Sequence, residues 1–164
     1  MSDKIRVLIV DDVATTRENI VKLIQFQPEI EAVGQASNGE EALFQAKALR
    51  PDVVLMDINM PGMDGITAAE RLTVEVPETT IIIMSVQGEQ EYLRRAMMAG
   101  AKNYLTKPFT GDELIQAVRQ SVSRDRQVRD ALRVKSGVKS PGKVISVFAG
   151  KGGVGKTMLA VNLA

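Results

Sequence analysis

VVLMDINMPGMDG, residues 53–65, sets a short apolar run against an acid, a Pro-Gly turn and the start of a helix. Val53–Met56 is continuously apolar, which reads as a strand covered on both faces. Gly65–Val76 reads as a helix closed by Pro77, so Asp57 falls at the carboxyl end of the strand. The same unit recurs on either side. Ile5–Val10 stops at Asp11-Asp12, and Val13–Gln27 follows with Ile20, Leu23 and Ile24 on one helical face. Ile30–Ala36 is a weaker strand. Ser37 with Glu40 and Asn38 with Glu41 make overlapping capping boxes for a helix to Leu49. Ile81–Met84 is a second continuous run, Gln90–Ala99 a helix stopped by Gly100, and Ala101–Thr106 a fifth strand. Thr110 and Glu113 cap a last helix carrying Leu114, Ile115, Val118 and Val122.

Five strand–helix units in strict alternation predict an α/β fold: a doubly wound, five-stranded parallel sheet with five helices and right-handed crossovers. The order 2-1-3-4-5 puts its binding crevice at the carboxyl ends of strands one and three. Asp11, Asp12 and Asp57 lie at those ends.

Composition narrows the chemistry. Of 164 residues, 45% are apolar and 25% charged, which excludes a disordered chain, and no Gly-X-Y repeat suggests a fibre. No apolar run approaches the roughly 18 residues of a membrane helix, and the start MSDKIRVLIV lacks a cleavable signal. No membrane insertion is expected. With no cysteine there is no disulfide or thiolate metal site, which suits a cytoplasmic location. With no histidine there is no imidazole base, so chemistry must run on carboxylates, hydroxyls, lysines and backbone groups. Charge divides the chain near residue 125. Residues 1–125 hold 13 basic and 19 acidic side chains, whereas residues 126–164 hold 8 basic ones and a single acid, Asp130.

Three carboxylates about 5 Å apart repel by on the order of 3 kcal/mol per pair at an effective dielectric of 20. A proton or a cation must relieve that. Hard oxygen ligands in a wet cleft suit Mg²⁺, which accepts one or two carboxylates and a phosphate oxygen. Lys107 and Ser85, at the ends of the fifth and fourth strands, point into the same crevice. An ammonium and a hydroxyl around a metal-bound carboxylate describe a phosphoryl-acceptor site, since Asp is a covalent acceptor and the transfer needs mainly positioning and charge neutralisation.

At this point the chain resembles the receiver domains of two-component response regulators. The resemblance rests on VLIVDD (7–12), LMDINMPGMDG (55–65), IIIMS (81–85), AGAKNYLTKPF (99–109) and the helix after Thr110, and covers residues 4–125. It implies the flavodoxin-like fold. It implies that Asp57 accepts a phosphoryl group from a histidine kinase or a phosphotransfer protein, in a transfer and a dephosphorylation that the domain itself catalyses. Asp12, Asp57 and the backbone carbonyl of Asn59 would hold Mg²⁺, with Asp11 acting largely through water. Lys107 would pair with the phosphoryl oxygens, Ser85 would donate to them, and Tyr104 would take the place of the aromatic switch residue. The Lys107-Pro108 peptide would be cis. Taken singly, an acid pair is a turn or cap, Ser85 a polar strand end, and Tyr104 a half-buried strand aromatic. The surface over residues 90–122 would carry output or a homodimer.

The tail reads differently. Residues 126–143 are expected to be a helix extension and a flexible basic linker, marked by Ser136-Gly137 and Ser140-Pro141-Gly142 and solvated rather than bound to nucleic acid. Val144–Phe148 then leads into Gly150-Lys151-Gly152-Gly153-Val154-Gly155-Lys156-Thr157, a match to G-x-x-x-x-G-K-[ST] with Met158–Ala164 as the helix after it. Glycines let backbone N–H groups wrap phosphates, Lys156 reaches the terminal phosphates, and Thr157 joins Mg²⁺. Lys151 makes the loop resemble that of partitioning and division-site ATPases of the ParA/MinD type. Residues 144–164 would be a truncated beginning of such a domain, binding ATP only as part of a complete ATPase that the receiver regulates. A receiver-like module that signals without phosphorylation and an ATPase fragment are the rival readings.

Overall fold

The computed structural model describes residues 4–86 and 90–138. Ten elements alternate along the chain: β1 (Ile5–Val10), α1 (Ala14–Gln25), β2 (Ile30–Ala36), α2 (Gly39–Leu49), β3 (Val53–Asp57), α3 (Gly65–Glu75), β4 (Thr80–Ser85), α4 (Gln90–Met98), β5 (Asn103–Thr106) and α5 (Gly111–Val138). The strands form one parallel sheet in the order β2-β1-β3-β4-β5. That is the order the alternation of elements predicts, and it brings the ends of β1 and β3 side by side.

The continuous apolar runs have a direct cause: both faces of the sheet are covered. Leu8, Val10, Val54, Met56, Ile81 and Ile83 pack under α2, α3 and α4. Their sequence neighbours Val7, Ile9, Val53, Leu55, Ile82 and Met84 pack under α1 and α5. Successive side chains point to opposite faces, so a strand buried on both sides must be apolar throughout.

Capping fixes where helices start. Asn38 accepts a hydrogen bond from the Glu41 backbone at 2.8 Å. Ser37 donates to Glu41 from its backbone and hydroxyl, so it does not form the box expected with Glu40. Thr110 and Glu113 bond reciprocally, at 2.8 and 3.1 Å, as a complete capping box. Gly100 takes φ +110°, a conformation that favours glycine, just past the end of α4.

By contact the chain divides after Ser123. The described part of the second unit is the helical stretch to Val138, so Ser136 and Gly137 belong to α5 rather than to a linker. Glycine and serine lower helix propensity without forbidding it. The linker beyond and the phosphate loop, Gly150, Lys151, Gly152, Gly153, Gly155, Lys156 and Thr157, lie outside the described residues. Among the described residues no helix is long and apolar enough to cross a membrane.

Candidate functional site

Asp11 follows β1 and is fully buried. Its Oδ1 accepts from the Val13 backbone at 2.9 Å, turning the chain into α1, whose N-cap Val13 has no side-chain cap of its own. Asp12, the next residue, is exposed. Asp57 is the last residue of β3, in register with Met84, and is buried. Behind it α3 abuts directly: Gly65 donates to the Ile58 carbonyl at 2.8 Å. A Cβ on Gly65 would stand 2.0 Å from the Asp57 carbonyl oxygen, so only glycine fits there. Asp64 caps α3 by accepting from the Thr67 backbone.

Ser85, the last residue of β4, is buried opposite Thr106. Its carbonyl accepts from the Lys107 backbone at 2.7 Å, which starts Lys107 at the sheet's carboxyl edge. The Lys107-Pro108 peptide is cis. From there the Lys107 ammonium donates to Asp11 Oδ2 at 2.7 Å and to Asp57 Oδ1 at 3.0 Å. Four of the expected residues therefore meet: Asp11, Asp12, Asp57 and Lys107, with Ser85 at the adjoining strand end. Asn59 is exposed, two residues past β3. Tyr104 lies in β5 opposite Ile83, half-buried against the α2–α4 side of the core.

Burial pushes the Asp57 carboxyl above its usual range, and the charges of Asp11 and Asp12 add to this, although Lys107 pulls the other way. Burial alone would lower Lys107, but its hydrogen bonds to Asp11 and Asp57 and the attraction of both carboxylates prevail, so it is held above its ordinary value. The lysine is thus firmly a cation, and one positive charge is shared among three acids. That shortfall is what a divalent cation supplies. One oxygen from each of Asp11, Asp12 and Asp57 lies within 4.8 Å of the others. Oxygens around Mg²⁺ at about 2.0–2.1 Å stand roughly 3–4 Å apart, so a slight closure or one bridging water fits the cluster to the ion. Beside the site, Thr16, Asn19, Ile20, Leu23, Val86, Lys107, Pro108 and Phe109 line a groove of about 500 Å³.

Sequence reasoning missed Arg17. Its guanidinium reaches back to the Asp11 carbonyl at 2.6 Å and to Gln35 Oε1 at 3.2 Å. An arginine in the first turn of an amphipathic helix carries no local signature of that contact.

The response regulator receiver domain family matches residues 7–119. Response regulator GacA of Pseudomonas aeruginosa is 36% identical over 136 residues, covering 83% of this chain and 64% of that protein. Protein-glutamate methylesterase/protein-glutamine glutaminase 3 of Geobacter sulfurreducens is 38% identical over 122 residues, covering 74% of this chain and 33% of that protein. The chain thus spans from a third to about two thirds of the length of these curated relatives. The crystal structure of the response regulator domain of Thermotoga maritima CheB superposes with a TM-score of 0.69 at 34% identity, covering 73% of this chain and 97% of that one.

Proposed function

Because this chain belongs to the response regulator receiver family, we propose that residues 1–125 form a phosphorylation-dependent switch whose acceptor is Asp57. The observation that carries the reading is the shared ammonium: Lys107 bonds Asp11 and Asp57 together beside a third carboxylate, Asp12. With Oδ1 engaged by Lys107, Oδ2 of Asp57 attacks phosphorus while the bond to the donor's imidazole nitrogen breaks. Asp12, Asp57 and the Asn59 carbonyl would hold Mg²⁺, with Asp11 acting through water. When bound, the ion neutralises charge on the transferring group. Lys107 then takes a phosphoryl oxygen, and Ser85 donates to another. The donor is a histidine kinase or a phosphotransfer protein, and the apolar groove beside Lys107 offers it a surface next to the acceptor. Tyr104 turns inward as the switch residue. Output, or a homodimer, uses the surface over residues 90–122. The absence of cysteine supports work in a reducing cytoplasm.

We propose further that residues 126–143 lead to a ParA/MinD-type ATPase that the switch regulates. The match of residues 150–157 to an ATPase phosphate loop supports this. By itself the segment 144–164 is too short to enclose a phosphate-loop core, so residues 1–164 bind no ATP at micromolar concentration. An ATP–Mg²⁺ titration with Lys156→Ala as control tests that statement.

The decisive experiment on the switch is mass spectrometry after incubation with Mg²⁺ and acetyl phosphate. One acid-labile phosphoryl group is expected, and Asp57→Asn abolishes it. Equal modification of the Asp57→Asn protein would reject the assignment.

A further inference from the structure

All four polar groups of Asp11 are engaged. Its N–H donates to the Ala36 carbonyl at 3.1 Å, Oδ1 accepts from Val13, Oδ2 from Lys107, and its carbonyl accepts from Arg17 Nη1 at 2.6 Å. Two of these bonds, to Ala36 and Lys107, fix Asp11 itself, and the Oδ1–Val13 bond closes the turn across Asp12. The fourth fixes the peptide that joins Asp11 to Asp12. Rotating that peptide plane would swing the Cα–Cβ bond of exposed Asp12 away from Asp57. Val13, the N-cap of α1, supplies no side-chain cap, so the turn is held by Asp11 Oδ1 on the Val13 N–H and by Arg17 on the Asp11 carbonyl.

Arg17 is itself held. Its backbone donates to Val13 in the first turn of α1, and Nε donates to Gln35 Oε1 on β2. The Gln35 carbonyl in turn accepts from Gln45 Nε2 on α2 at 2.6 Å. The guanidinium therefore ties the end of β1 to the neighbouring strand through two neutral partners. Its planar fork suits two diverging bonds, which a lysine ammonium on a flexible stem serves less well.

We propose that Arg17 is a positioning residue for the acidic site, locking the Asp11–Asp12 peptide so that the Asp12 carboxylate faces Asp57. The inference rests on the Mg²⁺ site proposed above, in which Asp12 is a direct ligand and Asp11 acts through water. Its sign separates it from a bare charge effect. Taking a positive charge away from a cation site tightens cation binding, whereas releasing a ligand-bearing turn weakens it.

Calorimetric titration of the full chain with Mg²⁺ reads both. Arg17→Ala is expected to raise the Mg²⁺ Kd by about tenfold, as loss of an outer-shell partner does. Arg17→Lys, which keeps the charge, recovers part of the affinity, and Arg17→Gln replaces Arg17→Ala if the latter fails to fold. In an Asp12→Asn background the Arg17 substitution is expected to change Kd by less than about twofold, because the ligand it orients is already impaired. Unchanged or tighter binding by Arg17→Ala overturns the inference, as does an undiminished loss in the Asp12→Asn background. If Asp12→Asn alone leaves Mg²⁺ affinity intact, the metal site is rejected and the role of Arg17 with it.

Discussion

α3 and α4 cover the same side of the sheet, yet they are held very differently. α3 buries Gly65, Ile66, Ala68, Ala69 and Leu72. α4 buries Ala96, while Leu93, Met97 and Met98 stand exposed between Glu91, Arg94 and Arg95. The first helix is wedged against the peptide of Asp57; the second flanks the strand that carries Tyr104. Local opening costs least where few apolar groups are buried. α3 is therefore anchored beside Asp57, and α4 is expected to open at lower cost.

The two helices differ most at Gly65. Gly65→Ala drives a Cβ into the Asp57 carbonyl, and urea unfolding should show a loss of about 3 kcal/mol with phosphorylation of Asp57 lost alongside. Leu72→Ala should cost at least about 2 kcal/mol by opening a cavity under α3. Leu93→Ala on α4 should cost less than about 0.5 kcal/mol. Equal losses for the two leucines would erase the contrast.

Hydrogen exchange sharpens it. Amides of α4 should exchange at opening free energies at least about 1 kcal/mol below those of α3. A phosphoryl mimic with Mg²⁺ should alter protection over residues 90–106 and 111–122 while leaving α3 unchanged. Changes confined to the loop after Asp57 would sink the output surface, because a ligand shifts a conformational equilibrium only as far as it binds the two states differently.

The smallest effect belongs to the anchored side alone. The Asp57 carboxyl is raised by burial, so between its unfolded pKa and its higher folded one the native state binds more protons than the unfolded chain. Metal-free stability should fall as pH rises from about 4 through that window. Asp57→Asn should remove this slope, and Mg²⁺ should oppose it. A wild-type melting profile parallel to that of Asp57→Asn in chelator would remove burial as the dominant influence on Asp57.

The sheet was legible because period-2 burial on two faces leaves unbroken apolar runs, and helices were legible wherever a capping residue announced them. Strand ends were less so. β4 spans Thr80–Ser85 rather than Ile81–Met84, since Thr80 and Ser85 pair in register although their polarity hides it. β5 begins at Asn103, not Ala101, and α1 begins one residue late because Asp11, not a residue beside the helix, organises its start. Asp11, Asp12, Asp57 and Lys107 were readable because a parallel sheet gathers its carboxyl ends. The roles of Gly65 and Arg17 were not, because each depends on a contact with a backbone oxygen that no spacing encodes.

One ammonium joining two carboxylates also has a meaning in time. Lys107 lies 96 residues from Asp11 and 50 from Asp57, and it follows the edge strand of the sheet. Contacts so distant along the chain close large loops and arrive late in folding. Without β5 and the residue that follows it, three acids would lie together with no lysine among them. Docking of the last strand therefore brings to the sheet both its closing edge and the cation that offsets that repulsion.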